Sequence, residues 1–158
     1  MSVAFTKEED YESVAANLPD RPVSSHPNLV TPEGLAAIEA ELALARAAYA
    51  AAQGGDVKDD RTAMARATRD LRYWSARRGN AQLIEPGEAD GTLRFGGTVA
   101  IEREDGRRQT WRIVGEDEAD PSAGSVSYIS PLGQALLGKS VGDVAMVAGG
   151  EVEIVSVS

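Results

Sequence analysis

The chain contains no cysteine, which excludes a disulfide framework, a thiolate metal site and a cysteine nucleophile. Histidine occurs once. His26 sits in a proline-containing stretch with no carboxylate pair nearby to complete a ligand set, so no metal or catalytic role is expected of it. Aromatic residues make up only 5% of the chain, and Trp74 and Trp111 read as core residues rather than base-stacking platforms. No apolar run approaches the ~20 residues that cross a bilayer. The first ten residues lack the apolar stretch of a signal peptide. Neither a glycine-rich phosphate loop nor a Ser/His/Asp arrangement is present. Positive charge is also short: 16 Lys and Arg face 25 Asp and Glu, for a net charge of −9. Phosphate backbones are held by clustered Lys and Arg, so this balance argues against a free-standing or sequence-specific DNA binder and suits a protein partner. Together these absences predict a cytoplasmic protein that makes no membrane contact.

What is present divides the 158 residues into three stretches. Residues 1–30 form a polar leader, expected to be partly disordered. Thr6 and Glu9 have capping-box spacing, which predicts a short helix through about Ala16; Pro19, Pro22 and Pro27 with Ser24 and Ser25 then favour an extended linker. Over residues 31–85 the period is helical. Thr31 is a good N-cap and Pro32 suits the first helical position. Leu35, Ile38, Leu42, Ala45 and Tyr49 follow at steps of three and four, and Gln53-Gly54-Gly55 stops the pattern. Met64, Ala67, Leu71 and Trp74 repeat the spacing over residues 60–81, with Ala81 in phase. Two such helices joined by a short polar turn run antiparallel, giving a coiled-coil hairpin.

Pro86-Gly87-Glu88-Ala89-Asp90-Gly91 marks a boundary, and over residues 91–158 the period falls to two. Val99 and Ile101 alternate with polar neighbours, Asp105-Gly106 is a hairpin turn, and Trp111-Arg112-Ile113-Val114 continues the partner strand. Further strands are expected over residues 125–129, 144–147 and 151–157. Ser130-Pro131 opens a short helix through about Leu137, closed by Gly138. The expected class is α+β: a helical hairpin followed by a small antiparallel sheet wrapped on one short helix.

Ile113-Val114-Gly115-Glu116-Asp117-Glu118-Ala119-Asp120-Pro121, Ser127-Tyr128-Ile129-Ser130-Pro131-Leu132-Gly133-Gln134-Ala135-Leu136-Leu137-Gly138-Lys139 and Val141-Gly142-Asp143 closely resemble, in order, the C-terminal domain of the GreA and GreB transcript-cleavage and elongation factors. Val30-Thr31-Pro32-Glu33-Gly34 and Asn80-Ala81-Gln82 also look like the family. The resemblance covers residues 30–158 and leaves the leader outside. It implies an FKBP-like C-terminal domain that docks at the rim of the secondary channel of bacterial RNA polymerase, and a coiled coil that enters the channel. It further implies two acidic tip residues that help hold a catalytic Mg²⁺, so that the polymerase itself cuts backtracked RNA. On that reading the protein is not an enzyme alone and carries no cofactor of its own.

Mapped onto this chain, the tip is Gly55-Asp56-Val57-Lys58-Asp59-Asp60, with Asp56 and Asp59 in the acidic positions. Carboxylates suit Mg²⁺, a hard cation that takes one or two protein oxygens; equally, Asp59 or Asp60 is a good helix cap. Asp59 stands where the family has Glu, Asp60 where it has Asn, and Arg61-Thr62-Ala63 where it has Ala-Glu-Tyr. The arm is about two turns shorter than the family's, a loss on the order of 10 Å of reach. Arg66 and Arg69 match the family's RNA-proximal basic patch, or belong to a solvated face with an Arg66–Asp70 pair. Ile129, Ser130, Pro131 and Leu132 match the polymerase-docking loop, where Ser130 also reads as a cap and Leu132 as core. Cleavage stimulation, channel occupancy without cleavage as in short-armed relatives that resemble regulators of nucleoside diphosphate kinase, and an adaptor with another coiled-coil partner all stay open. A peptidyl-prolyl isomerase is the rival from another class; it needs an aromatic-lined proline pocket, for which this region offers only Phe95, Trp111 and Tyr128.

Overall fold

Thr31 starts the first helix as its chemistry dictates: its Oγ1 accepts the Gly34 N–H at 2.9 Å, and its carbonyl accepts the Leu35 N–H at 2.9 Å. The computed structural model describes residues 18–54 and 57–158, with backbone alone over 57–60. The helix expected over residues 6–16 and the tip residue Asp56 lie outside the described residues. Helix α1 spans Pro32–Gln53 and helix α2 spans Val57–Gly79. Ile38, Leu42, Ala45 and Ala52 on α1 and Ala67 on α2 are buried, the faces that three-four spacing selects. Arg78, near the end of α2, donates to Glu39, near the start of α1, at 3.0 Å, as antiparallel helices require.

Two boundaries differ from expectation. Helix α2 begins at Val57, so residues 57–60 are helix rather than turn. It ends at Gly79, and Ala81 is not helical: strand β1, Asn28–Val30, pairs in parallel with β2, Ala81–Leu83. The polar leader is expected to end in an extended linker, yet its last residues pair as a strand with Asn28 and Val30 buried. Three residues are too few to show a period in the sequence.

The main sheet has five strands in the order β5-β4-β3-β7-β6: β3 Thr98–Arg103, β4 Arg108–Val114, β5 Ser125–Ser127, β6 Val144–Val147 and β7 Gly150–Val157. Gly106, at φ +84°, makes the β3–β4 turn, a left-handed conformation that glycine adopts without strain. The sheet is mixed, which corrects the all-antiparallel expectation: β5 lies parallel to β4. A parallel partner needs a crossover instead of a tight hairpin, and residues 115–124, with a short 3₁₀ turn at Pro121–Ala123, supply it. Helix α3, Pro131–Leu136, places Leu136 against Val99, Ile101, Ile113, Val152 and Ile154 in one core. The opposite face carries exposed Glu151 and Glu153 beside Val144 and Met146.

The chain forms two compact units. One is Met1–Ser25 with Ala37–Asn80, and the other His26–Ala36 with Ala81–Ser158. The first residues of α1 thus belong with the sheet.

Candidate functional site

The loop of Ile129, Ser130, Pro131 and Leu132 is built around one hydroxyl. Ser130 Oγ donates to the Ser127 carbonyl at 2.7 Å and accepts the Gly133 N–H at 3.0 Å. The same side chain therefore caps α3 and ties it to the end of β5. Gln134 closes the turn by donating from Nε2 to the Ile129 carbonyl at 3.0 Å. Gly133 is required here, because a Cβ would lie 2.3 Å from the Ser127 carbonyl oxygen. Pro131 is exposed, Ile129 and Ser130 are half-buried, and Leu132 packs against the sheet core. Of the four, Pro131 is the most outward, and Leu132 is chiefly an anchor. This loop is rigid by construction.

Behind it, Tyr128 donates its hydroxyl to the Pro27 carbonyl and meets Phe95 edge-on, with ring centroids 5.7 Å apart. Trp111 packs against the core. The cavity beside Phe95, about 210 Å³, has no other aromatic lining residue among the described residues, and Arg94, Arg112 and Pro86 share its wall. The three aromatic residues do not converge on a proline-sized apolar pocket.

At the root of α1, Thr31 Oγ1 donates to Glu118, whose other carboxylate oxygen lies 3.5 Å from Arg112. Arg112 also reaches Glu33 at 3.2 Å. Helix-start hydrogen bonding by its own backbone, followed by the Arg112 guanidinium, holds the Glu33 carboxyl below its ordinary value of 4.5.

In the hairpin unit, Asp59 falls in the first turn of α2. Arg66 and Arg69, matched to one basic patch, line different grooves. Arg66 shares one with Glu41, Leu44 and Trp74, and Arg69 shares another with Arg61, Met64 and Arg72. Asp70, the partner expected for Arg66, is instead engaged by Arg21 at 3.3 Å and by Arg69 at 3.4 Å.

The leader supplies what sequence reasoning missed. Asp20 accepts from Arg72 at 3.1 Å. Arg21 lies over the Tyr73 ring at 3.9 Å and near Trp74 at 5.4 Å while pairing with Asp70. Residues 20 and 21 thus strap the leader along α2. Only the charge alternation Asp20-Arg21 against Asp70…Arg72 hinted at this, and no spacing rule links positions 50 residues apart.

Among the described residues no cluster of His, Asp or Glu could hold a metal ion, and no helix is long and apolar enough to cross a membrane.

Comparison with known proteins places this geometry. Residues 88–158 match the family model for the C-terminal region of transcription elongation factor GreA/GreB. The chain is similar to transcription elongation factor GreA of Rhodospirillum rubrum, 38% identical over 133 residues covering 72% of this chain and 83% of the relative. It is also similar to GreA of Psychrobacter arcticus, 36% identical over 138 residues covering 75% and 86%. Among solved structures, GreA factor homolog 1 of Thermus thermophilus aligns over 84% of this chain and 99% of its own, at 22% identity and a TM-score of 0.40. Since the chain is 38% and 36% identical to these two GreA proteins and covers 83% and 86% of their length, it belongs to the GreA/GreB family of transcription elongation factors.

Proposed function

We propose that this protein binds bacterial RNA polymerase at the rim of the secondary channel through its Ile129, Ser130, Pro131 and Leu132 loop, and modulates elongation through its helical arm. The observation that carries the reading is the doubly bonded Ser130, which presents Pro131 on a turn that needs no reordering to bind. Preorganisation of this kind lowers the entropy cost of association. The sheet unit acts as an FKBP-like grip in the cytoplasm, without isomerase activity, since the cavity at Phe95 has one aromatic wall.

At the far end, Asp56 and Asp59 are the residues to act on chemistry. Two carboxylates complete a Mg²⁺ site that the polymerase already half supplies; the bound ion would polarise an RNA phosphate and activate water. The reaction remains the polymerase's own, and the nascent RNA 3′ end is its substrate. A second reading, channel occupancy without cleavage, is favoured by α1, whose 22 residues span ~33 Å, and by Asp59, one methylene shorter than the family's Glu.

A stalled, backtracked elongation complex separates the two. Faster RNA shortening that falls at least ~100-fold in the Asp56→Ala plus Asp59→Ala protein supports the first reading, a loss in the range of a removed catalytic group. Polymerase binding without shortening supports the second. No binding to core polymerase, or binding unaffected by Ser130→Ala with Pro131→Ala, removes the docking assignment.

A further inference from the structure

The main sheet ends on β6, whose residues Val144 to Val147 include neither a charge nor a proline, the usual means of keeping an edge from recruiting another strand. The hairpin register fixes which backbone groups this edge presents. Val147 pairs with Gly150 across the turn at Ala148-Gly149, and Ala145 pairs with Val152. Beyond them, the Ile154 N–H donates to the Asp143 carbonyl at 2.9 Å. Hydrogen-bonded pairs alternate along an antiparallel ladder. Ala145 and Val147 therefore bond inward to β7, while Val144 and Met146 turn their N–H and C=O outward. No further strand meets them among the described residues.

The same two residues expose their side chains. Ala145 is buried in the core, so alternation puts Val144 and Met146 on the open face, where they are 52% and 67% exposed. Directly across on β7, Glu153 stands beside Val144 and Glu151 beside Met146, both exposed. Their neighbour on β3, Glu102, is held by Arg108 at 3.0 Å. Glu151 and Glu153 make no ion pair with a described residue, and residues 140–158 contain no Lys or Arg. The edge thus combines outward amides and carbonyls, an apolar step and two unneutralised carboxylates behind it.

We propose that β6 is a docking edge for an extended basic segment of a partner protein, which joins the sheet as a sixth strand. Main-chain hydrogen bonds to Val144 and Met146 give the affinity, and the acids select the partner. Lys or Arg at alternate positions lay their aliphatic stems over Val144 and Met146 and set their charges on Glu153 and Glu151. That distance is two strand spacings, about 9.6 Å, which extended Lys and Glu side chains bridge. A second copy suits the edge less well. Pairing β6 with itself would leave both sets of carboxylates unneutralised and join two chains of net charge −9, which repel. Leu132 and α3 pack on the core face of the sheet, so this open-face surface is additional to the loop at Ser130.

The probe is a synthetic peptide of about eight residues, a usual strand length, that alternates Lys and Thr. Titrated into the full isotope-labelled chain, it should shift the amide signals of residues 143–148. At saturation, hydrogen exchange at Val144 and Met146 should slow on the order of tenfold. Glu151→Lys with Glu153→Lys should weaken binding on the order of tenfold, because two ion pairs become repulsions. Met146→Pro removes an outward N–H that β7 does not use and should abolish binding. A peptide methylated on its lysine backbone nitrogens keeps its charge and should not bind. Unchanged signals over residues 93–136 show that each variant keeps the fold. Shifts away from β6, affinity indifferent to the charge reversal, or equal affinity for the methylated peptide or for one alternating Glu and Thr would each overturn the proposal. So would β6 shifts that grow with protein concentration alone, which would assign the edge to a second copy. No readout involves polymerase, so failure here is distinguishable from failure of the docking assignment.

Discussion

The hairpin unit and the sheet unit solve burial in different ways. In the sheet unit, Leu93, Ile101, Ile113, Leu136 and Ile154 are fully buried around one core, where β-branched residues suit a pleated surface. In the hairpin, Ala45, Ala52 and Ala67 are among the buried residues beside Ile38 and Leu42. A seam of small side chains lets two helices approach closely but removes little apolar area from water. Helix propensity of the alanine-rich stretch supplements that burial, while an exposed pair such as Arg78–Glu39 adds at most about 1 kcal/mol. The grip is stabilised by its core, and the arm by its local sequence.

The sharpest test of this contrast is a matched pair of truncations. Leu136→Ala should cost about 4 kcal/mol and Leu42→Ala about 2 kcal/mol, the upper and lower parts of the range for buried leucine, measured by urea unfolding. Equal losses would mean that the hairpin seam is as tightly packed as the sheet core.

At the root of α1 a smaller effect is expected. Thr31→Ala removes both the cap on Gly34 and the contact with Glu118 and should cost about 1–2 kcal/mol. Thr31→Ser should recover most of it, and failure of the serine variant to do so would assign the loss to the buried methyl group instead.

The smallest effect is a pH dependence. Because the folded protein holds the Glu33 carboxyl below 4.5, the unfolded chain binds its proton first as pH falls. Its contribution is therefore present above pH 4.5 and is lost as pH drops through the lowered folded value. Carbonyl signals of Glu33 should titrate below 4.5, and Arg112→Ala should raise the Glu33 midpoint.

Legibility in the sequence followed interaction range. Thr31-Pro32, the three-four stripes, the Asp105-Gly106 turn and the Ser130-Pro131 cap act within one or two turns, and each element lies where local chemistry puts it. What escaped were pairings set by distant partners. Ala81 continued the helical phase, yet its backbone joins Asn28 across the chain. The parallel β5 gave no sign, because parallel and antiparallel strands share a period of two. Arg66 and Arg69 were matched to one patch by resemblance alone, and they line different grooves. The acidic-tip assignment rests on resemblance alone: carboxylates in a polar turn carry no signature of a metal that a partner supplies.

Gly115 gathers these threads at one point. The carbonyl oxygen of Leu29 would sit 2.3 Å from any Cβ placed there, so Leu29 and Val30 lie directly on the backbone that leaves β4. A fragment cut at residue 88, where the family match begins, would discard that cover, strip Tyr128 of its Pro27 acceptor and leave the Gly115 backbone open to water. Anyone dissecting this protein must therefore treat its grip as a discontinuous module. The recombinant piece worth making carries residues 26–36 spliced ahead of residue 81, with the arm replaced by a short loop.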